Sequence, residues 1–423
     1  MAEVRFLGAD NDVFCSRVQA HAAEFEQASG HKLAVQLLDN DFYYANKLTD
    51  YLGGDRPADV YMSGPVLEWE QLALGFVRPL DEFVGRSAGT FDLGDFFERL
   101  IRGSRWTGRF GDKLGTGPLL AIPVNWESYN LAYVPDILSR AGVDVPRTWP
   151  EYFAVAKTIS ARVPGARGFG QRGAEAWHTV YTGFATQLWS YGGRDFDPDG
   201  SCAIASEVGV EVAQTLSDAI RVAGPPDWTQ QGWYELAMDF ARAEYGLLVD
   251  SDHYVAYFES PSLSSVAGKV RYALPPIGPG GIRRPNMWMW SLVMNARSAV
   301  PDAAWEFMEW ATSSAFLTAA ALAGNMNPTR RSSWADSEFA ARASQWHEFP
   351  DVAMQLVGEA GGDTGDTGDT GDAAEVLVTP ALNYIEVARR WTRALREAYQ
   401  GAGSVEQCLA SAASDIDRLV IRT

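Results

Sequence analysis

Residues 119–134 read LLAIPVNWESYNLAYV, a long β-forming run with Pro123 inside it. Proline donates no ladder hydrogen bond, so a central strand does not carry it unbroken, and the run is expected to bend or change environment there. Beyond it, "DVPRTWPEYFAVAKTI" (144–159) opens a helix, with Thr148 as N-cap, Pro150 inside the first turn and Glu151 completing a capping box. Upstream, the chain alternates. "EVRFL" (3–7) reads as a strand, and Phe14, Val18 and Phe25 then recur at helical spacing as far as Ser29-Gly30. "LAVQLL" (33–38) is a second strand, a helix follows around 44–52, and "DVYMS" (59–63) is a third strand. Such alternation with short connections predicts an α/β fold, a mostly parallel sheet covered by helices.

Downstream, a helix is expected over roughly 174–191, and "YGLLV" (245–249) is a strand running into Asp250-Ser251-Asp252. "RYALPPIGPGG" (271–281) reads as a strand followed by a stiff connection, "NMWMWSLVMN" (286–295) as a strand, and "PDAAWEFMEWAT" (301–312) as a helix. Two amphipathic helices close the chain, one carrying Ile385, Trp391, Leu395 and Tyr399, the other Leu409, Ile416 and Leu419. The Gly-Asp-Thr tract over 361–372 lacks both the calcium-binding nonapeptide and the EF-hand glutamate, and is expected to be a solvated loop.

Composition narrows the function. A chain of 423 residues that is 47% hydrophobic can bury sizeable cores. Its net charge of −19 works against phosphate backbones and anionic lipid surfaces, and favours neutral or cationic ligands. No apolar stretch reaches the roughly 18 residues a bilayer span needs. The three cysteines (Cys15, Cys202, Cys408) have no metal-type spacing, and their odd number leaves at least one thiol free. Nothing in the spacing of the five histidines supports a metal cluster, and no G-x-S-x-G, HExxH or phosphate-loop signature is present.

The chemistry lies in where aromatic and short polar residues fall. Trp288 and Trp290 are two apart in a strand and project from one face, either as core or as a stacking platform for the C–H face of a sugar or polyol. Asn125-Trp126-Glu127, Trp177-His178 and Asp250-Ser251-Asp252 each end or begin an element, where binding residues gather in α/β folds. Carboxylates and amides between aromatic faces suit hydroxyl-rich ligands. Glu127, Glu175, Asp250 and Asp252 also keep glycoside hydrolysis open, which needs two acids about 5–10 Å apart.

The segments "KLTDYLGGDRPADVYMS" (47–63), "AIPVNWESYNLAYVPDILSRAGVDVPRTWPEY" (121–152), "DFARAEYGLLVDSDHYV" (239–255), "MWMWSLVMNARS" (287–298), "GNMNPTRRSSW" (324–334) and "SVEQCLASAASDIDRLV" (404–420) follow one another in a telling order. Together they give a chain that resembles, over nearly its whole length, the extracellular solute-binding proteins of bacterial ABC sugar importers, the family that includes maltose-binding protein. The "PVNWES" and "NMWMWS" segments are most similar to the sugar and sugar-alcohol binders.

The resemblance implies a two-lobed periplasmic-binding-protein (Venus flytrap) fold with hinge-crossing strands near 119–123, 275–285 and 325–329. Lobe one would hold 1–119 and 284–326, and lobe two 120–283 and 327–423. It further implies ligand contacts at Asp39, Asp41, Tyr43, Ser63, Gly64, Asn125, Trp126, Trp177, His178, Asp250, Asp252, Trp288, Trp290 and Arg331. No catalytic residue, cofactor or metal is expected. The implied role is capture of a neutral carbohydrate (a monosaccharide, sugar alcohol or short oligosaccharide) and its delivery to the transmembrane subunits of an ABC permease. The implied form is a monomer at the extracellular face of the membrane or in the periplasm, lipid-anchored in its natural state through a leader outside this sequence. The alternatives are a binder of another solute, such as an amino acid or ferric ion at Tyr43-Tyr44, and a glycoside hydrolase.

Overall fold

The computed structural model describes residues 1–10, 12–39, 43, 48–181, 183–324, 326–358 and 374–422. Asp41, Tyr44, Asn325 and the Gly-Asp-Thr tract lie outside the described residues. Strands β1 (Glu3–Ala9), β2 (Lys32–Leu38) and β3 (Val60–Ser63) pair in parallel, β1 in the middle, as strands joined through helices do. The remaining strands are β4 (Ile122–Tyr133), β5 (Arg167–Gly170), β6 (Tyr245–Ser251), β7 (Arg271–Ala273) and β8 (Met287–Met294). The spatial order is β2-β1-β3-β8-β4-β6-β5, with β7 also paired to β4.

β4 is the shared strand. Over Ile122–Ser128 it pairs antiparallel with β8, which in turn pairs with β3. Over Tyr129–Tyr133 it pairs with β6 and β7. The change of partners falls between Ser128 and Tyr129, downstream of the bend expected at Pro123. That bend is present as a register shift between Pro123 and Asn125. A third segment crosses beside it: the Thr329 hydroxyl donates to the Pro123 carbonyl (2.8 Å) and the Trp126 indole to the Pro328 carbonyl (3.1 Å).

The capping box that opens the helix Trp149–Arg162 is formed: the Thr148 hydroxyl accepts from the Glu151 N–H, and the Glu151 carboxylate accepts from the Thr148 N–H. Two elements differ from expectation, and β7 ends where its stiff connection was expected. The first helix breaks at His21 into Val13–Ala20 and Ala22–Ser29, because His21 leaves helical geometry (φ −111°, ψ 15°). The segment expected as one helix over 174–191 begins as a 3-10 turn, Trp177–Tyr181, before the α-helix Gly183–Ser190. β7 stops at Ala273 because Pro275-Pro276 cannot continue a donor ladder. All three cysteines are thiols. Among the described residues no helix is long and apolar enough to cross a membrane.

Tyr43 shows how the first half of the sheet is tied. Its ring is fully buried, and its hydroxyl donates to the backbone carbonyl of Met62 and lies 3.2 Å from that of Leu7, bridging β3 and β1. Tyr43→Phe removes this bridge and leaves buried carbonyl capacity unsatisfied. It should lower unfolding free energy by about 1–3 kcal/mol in denaturant titrations while leaving ligand affinity unchanged.

Candidate functional site

The register of β4 on β8 sets Glu127 opposite Trp288 and Asn125 opposite Trp290. Directly opposed residues share a face of an antiparallel pair, so two indoles and two polar side chains meet on one side of the crossing strands. The two indoles are 5.5 Å apart at 72°, and Trp177 from the 3-10 turn lies 5.8 Å from Trp288. The Trp290 indole donates to Glu127 Oε1 (3.1 Å). From the end of β6, the Ser251 hydroxyl donates to Glu127 Oε2 (2.7 Å). Glu127 is partly exposed, and each oxygen of a carboxylate has room for a second donor. The result is an oriented acceptor beside an aromatic platform.

Gly64, at the end of β3, is required by close approach. Its φ of −157° is ordinary extended backbone, but a Cβ there would fall inside the Trp288 ring and 2.8 Å from the Met289 carbonyl. Glycine is what lets Trp288 pack against the β3 end.

Beneath this surface a buried cation is held by several partners. The Arg172 guanidinium donates to both oxygens of Asp250 and to the Tyr254 hydroxyl (2.6 Å), and it faces the Tyr129 and Tyr254 rings. Burial works against its charge, but Asp250 and the two phenols outweigh that and keep it protonated. Burial, with the positive charge of Arg172 adding to it, pushes His178 down to about 3, so its imidazole is neutral near pH 7. His253 lies 3.4 Å from the Asn125 amide and is also pushed down by burial, while Glu127 and Asp12 pull it upward. Asp12, the N-cap of helix Val13–Ala20 at the end of β1, thus brings its charge to this region from the other half of the sheet.

Asp252 ties the crossings together. It accepts from the Ser128 N–H (3.1 Å) and hydroxyl (2.7 Å) and from the Asn327 amide (3.0 Å), while the Asn327 N–H donates to the Asn125 side chain (2.9 Å). Burial raises its carboxyl to about 7 against the pull of those hydrogen bonds.

Of the residues expected to touch ligand, the structure gathers Asn125, Trp177, His178, Trp288 and Trp290 on one side of the crossing strands, all buried except the partly exposed His178, with Asp250 beneath them. The others are placed differently. Trp126 projects from the opposite face of β4 and is fully buried against Phe97 and Trp334. Alternation along a strand puts neighbours of Asn125 on the far side. Tyr43 is committed to the β1–β3 bridge, and the Ser63 hydroxyl is buried and donates to Gln71 (2.7 Å). Arg331 donates to the Gly94 and Phe96 carbonyls (2.8 and 2.7 Å). Asp39 is exposed at the end of β2. Asp250 and Asp252 are tied by Arg172, Ser128 and Asn327, and Glu175 pairs at the surface with Arg393 (3.5 Å). The site also draws on Glu127 as an acceptor, with Ser251, His253, Arg172 and Asp12. Strand period from Asn125 points to Glu127; nothing local in sequence marks Arg172. Among the described residues no group of three or more His, Cys, Asp or Glu side chains could hold a metal ion.

Residues 16–316 match the family described as bacterial extracellular solute-binding protein. An erythritol/L-threitol-binding protein of Mycolicibacterium smegmatis is 26% identical over 89% of this chain and 78% of its own length. A mannitol-binding protein of Pseudomonas aeruginosa is 25% identical over 47% of this chain and 46% of its own. Among solved structures, an ABC-transporter solute-binding protein of Agrobacterium radiobacter in complex with ribitol superimposes with a TM-score of 0.82. It is 22% identical, covering 99% of this chain and 98% of that one. One from Agrobacterium vitis with bound D-mannitol gives 0.79 at 21% identity, covering 99% and 98%. These likenesses show the fold: a two-lobed periplasmic-binding-protein architecture.

Two outcomes follow from the geometry. Gly64→Ala drives a methyl group into the Trp288 ring and should destabilise the fold by about 1–3 kcal/mol, read by denaturant unfolding, with a shifted tryptophan emission. Asp252 titrates near 7 when folded and near 3.9 when unfolded, so between those values the folded state holds a proton the unfolded chain has lost, and stability falls as pH rises. Asp252→Asn preserves the shape without the charge. The stability difference between pH 5 and pH 8 should therefore be smaller in this variant than in the wild type.

Proposed function

Because the chain belongs to the bacterial extracellular solute-binding protein family, we propose that it captures a neutral carbohydrate, a sugar alcohol before a cyclic sugar, for an ABC importer. The observation that carries this reading is Glu127, oriented by Trp290 and Ser251 beside the Trp288–Trp290 platform. A carboxylate with spare acceptor capacity takes a pair of hydroxyl hydrogens, and an indole face takes the C–H surface between them. The polyols named for the erythritol/L-threitol-, mannitol- and ribitol-binding relatives support the same class. The negative net charge of the chain agrees with an uncharged ligand.

The moving bodies are residues 1–119 with 284–326, and 120–283 with the chain beyond 343. Residues 331–343 travel with the first body, because helices Arg331–Trp334 and Ser337–Ala343 pack on Ser314–Ala323 and Arg342 donates to the Ala321 carbonyl (3.1 Å). Ligand binds to one lobe, closure adds the contacts of the other, and the shift is set by the difference in affinity between open and closed forms. The closed monomer, at the outer face of the membrane or in the periplasm, then docks on the permease. No bond is made or broken, and the site needs no cofactor.

A thermal-shift screen of alditols, aldoses, ketoses, disaccharides and amino acids tests this. A ligand at about 100 times its Kd stabilises by about 2.7 kcal/mol and should raise the midpoint by about 5–10 °C. One polyol or sugar giving that shift and recovered unchanged is the expected result, with Glu127→Gln weakening its binding by about ten- to hundredfold. A shift from amino acids alone, or turnover of a glycoside, would overturn the reading.

A further inference from the structure

An aromatic ledge leads away from the site along the second lobe. His253, beside Asn125, and Tyr257 are four residues apart in the continuous helical stretch formed by Asp252–Tyr254 and Val255–Phe258. Side chains at that spacing are neighbours on one face, about one turn or 5.4 Å apart along the axis, on the scale of a sugar ring. Tyr257 meets Tyr234 edge-on at 6.3 Å, and Tyr234 meets Trp233 at 5.6 Å. The charges of Glu127 and Asp12 act on the Tyr257 hydroxyl.

Packing does not explain the ring at 234. Helix Trp233–Ala241 buries Leu236, Ala237, Asp239, Phe240 and Ala241, and Tyr234 lies off that face, 48% exposed. Among the described residues it is the only aromatic in the set of exposed large hydrophobic side chains, which otherwise are Met1, Leu74, Val222, Leu263, Ile282 and Ile421. An open phenol ring with a polar tip, continuous with a polar–aromatic site, suits the C–H face and hydroxyl edge of a sugar.

We infer that Tyr234 and Tyr257 form a second subsite, which takes the ring of a sugar unit joined to the polyol or sugar held at Trp288, Trp290 and Glu127. This rests on the proposed carbohydrate-binding function and extends its ligand class to two-unit compounds, glycosyl-alditols and disaccharides. Tyr257 stacks on or edges the ring, and Tyr234 closes the outer side. The single unit alone fills only the inner site.

Calorimetric titration of the wild type, Tyr234→Ala and Tyr234→Phe decides it, with four- to six-carbon alditols, their parent sugars, maltitol, lactitol, maltose and cellobiose as probes. The expected result is one two-unit probe bound about tenfold more tightly than its single unit, the worth of one aromatic contact. Tyr234→Ala should abolish that gain and Tyr234→Phe keep it, both with unchanged affinity for the single unit. Tyr234 is at the surface, so neither change should unfold the chain. Single-unit binding with no tighter two-unit probe, or with a gain that survives Tyr234→Ala, overturns the subsite alone. A wild type that binds none of the probes overturns the carbohydrate reading and the subsite with it.

Discussion

The antiparallel pairing of β4 with β8 is the contact on which the rest of the molecule depends. β8 hangs on β3 and so on the first half of the sheet, whereas the second half of β4 carries β6 and β7. The two halves therefore share a strand instead of merely touching. The same register that joins them sets Glu127 and Asn125 opposite Trp288 and Trp290. A slip of one residue would turn both indoles to the far face, where Trp126 and Met289 now pack, and would dismantle seam and site together.

The seam is held by backbone and by short polar side chains. Pro123 donates nothing to the ladder, and its carbonyl accepts from Thr329 instead. Asp252 collects donors from Ser128 and Asn327, so three passes of the chain meet at one carboxyl. Asparagine, serine and threonine suit this place because they bond directionally without the bulk that would wedge strands apart.

Below the candidate site, the Arg172–Asp250 pair is a matter of position more than of stability. Desolvating two ions offsets most of their attraction, so an apolar pair of the same shape would hold the lobe as well. What the pair provides is a fixed positive charge under Tyr129 and Tyr254. It leaves Glu127, bonded only to neutral donors, as the carboxylate with capacity toward the cleft. Of the four carboxylates that glycoside hydrolysis would draw on, Asp250 and Asp252 are spent on internal bonds.

Much of this was legible in the order of residues. β-forming runs located every strand but β5 (Arg167–Gly170), which leads to Arg172, the Thr148–Glu151 capping box marked the helix Trp149–Arg162, and period two put Trp288 and Trp290 on one face, because these signals depend only on near neighbours. The same rule separates Asn125 from Trp126, though adjacency in the chain had grouped them. What only the tertiary structure decided is which groups are already taken. Tyr43, Ser63, Asp252 and Arg331 have the chemistry of ligand contacts, yet their partners at Leu7, Gln71, Ser128 and Gly94 come from other segments brought close by folding. Arg172 carries no local mark at all, since its role exists only through Asp250, 78 residues further along the chain. Sequence determined the elements and their faces, because those are set by local periodicity. Folding decided the site, because whether a polar group is available is settled by partners distant in sequence.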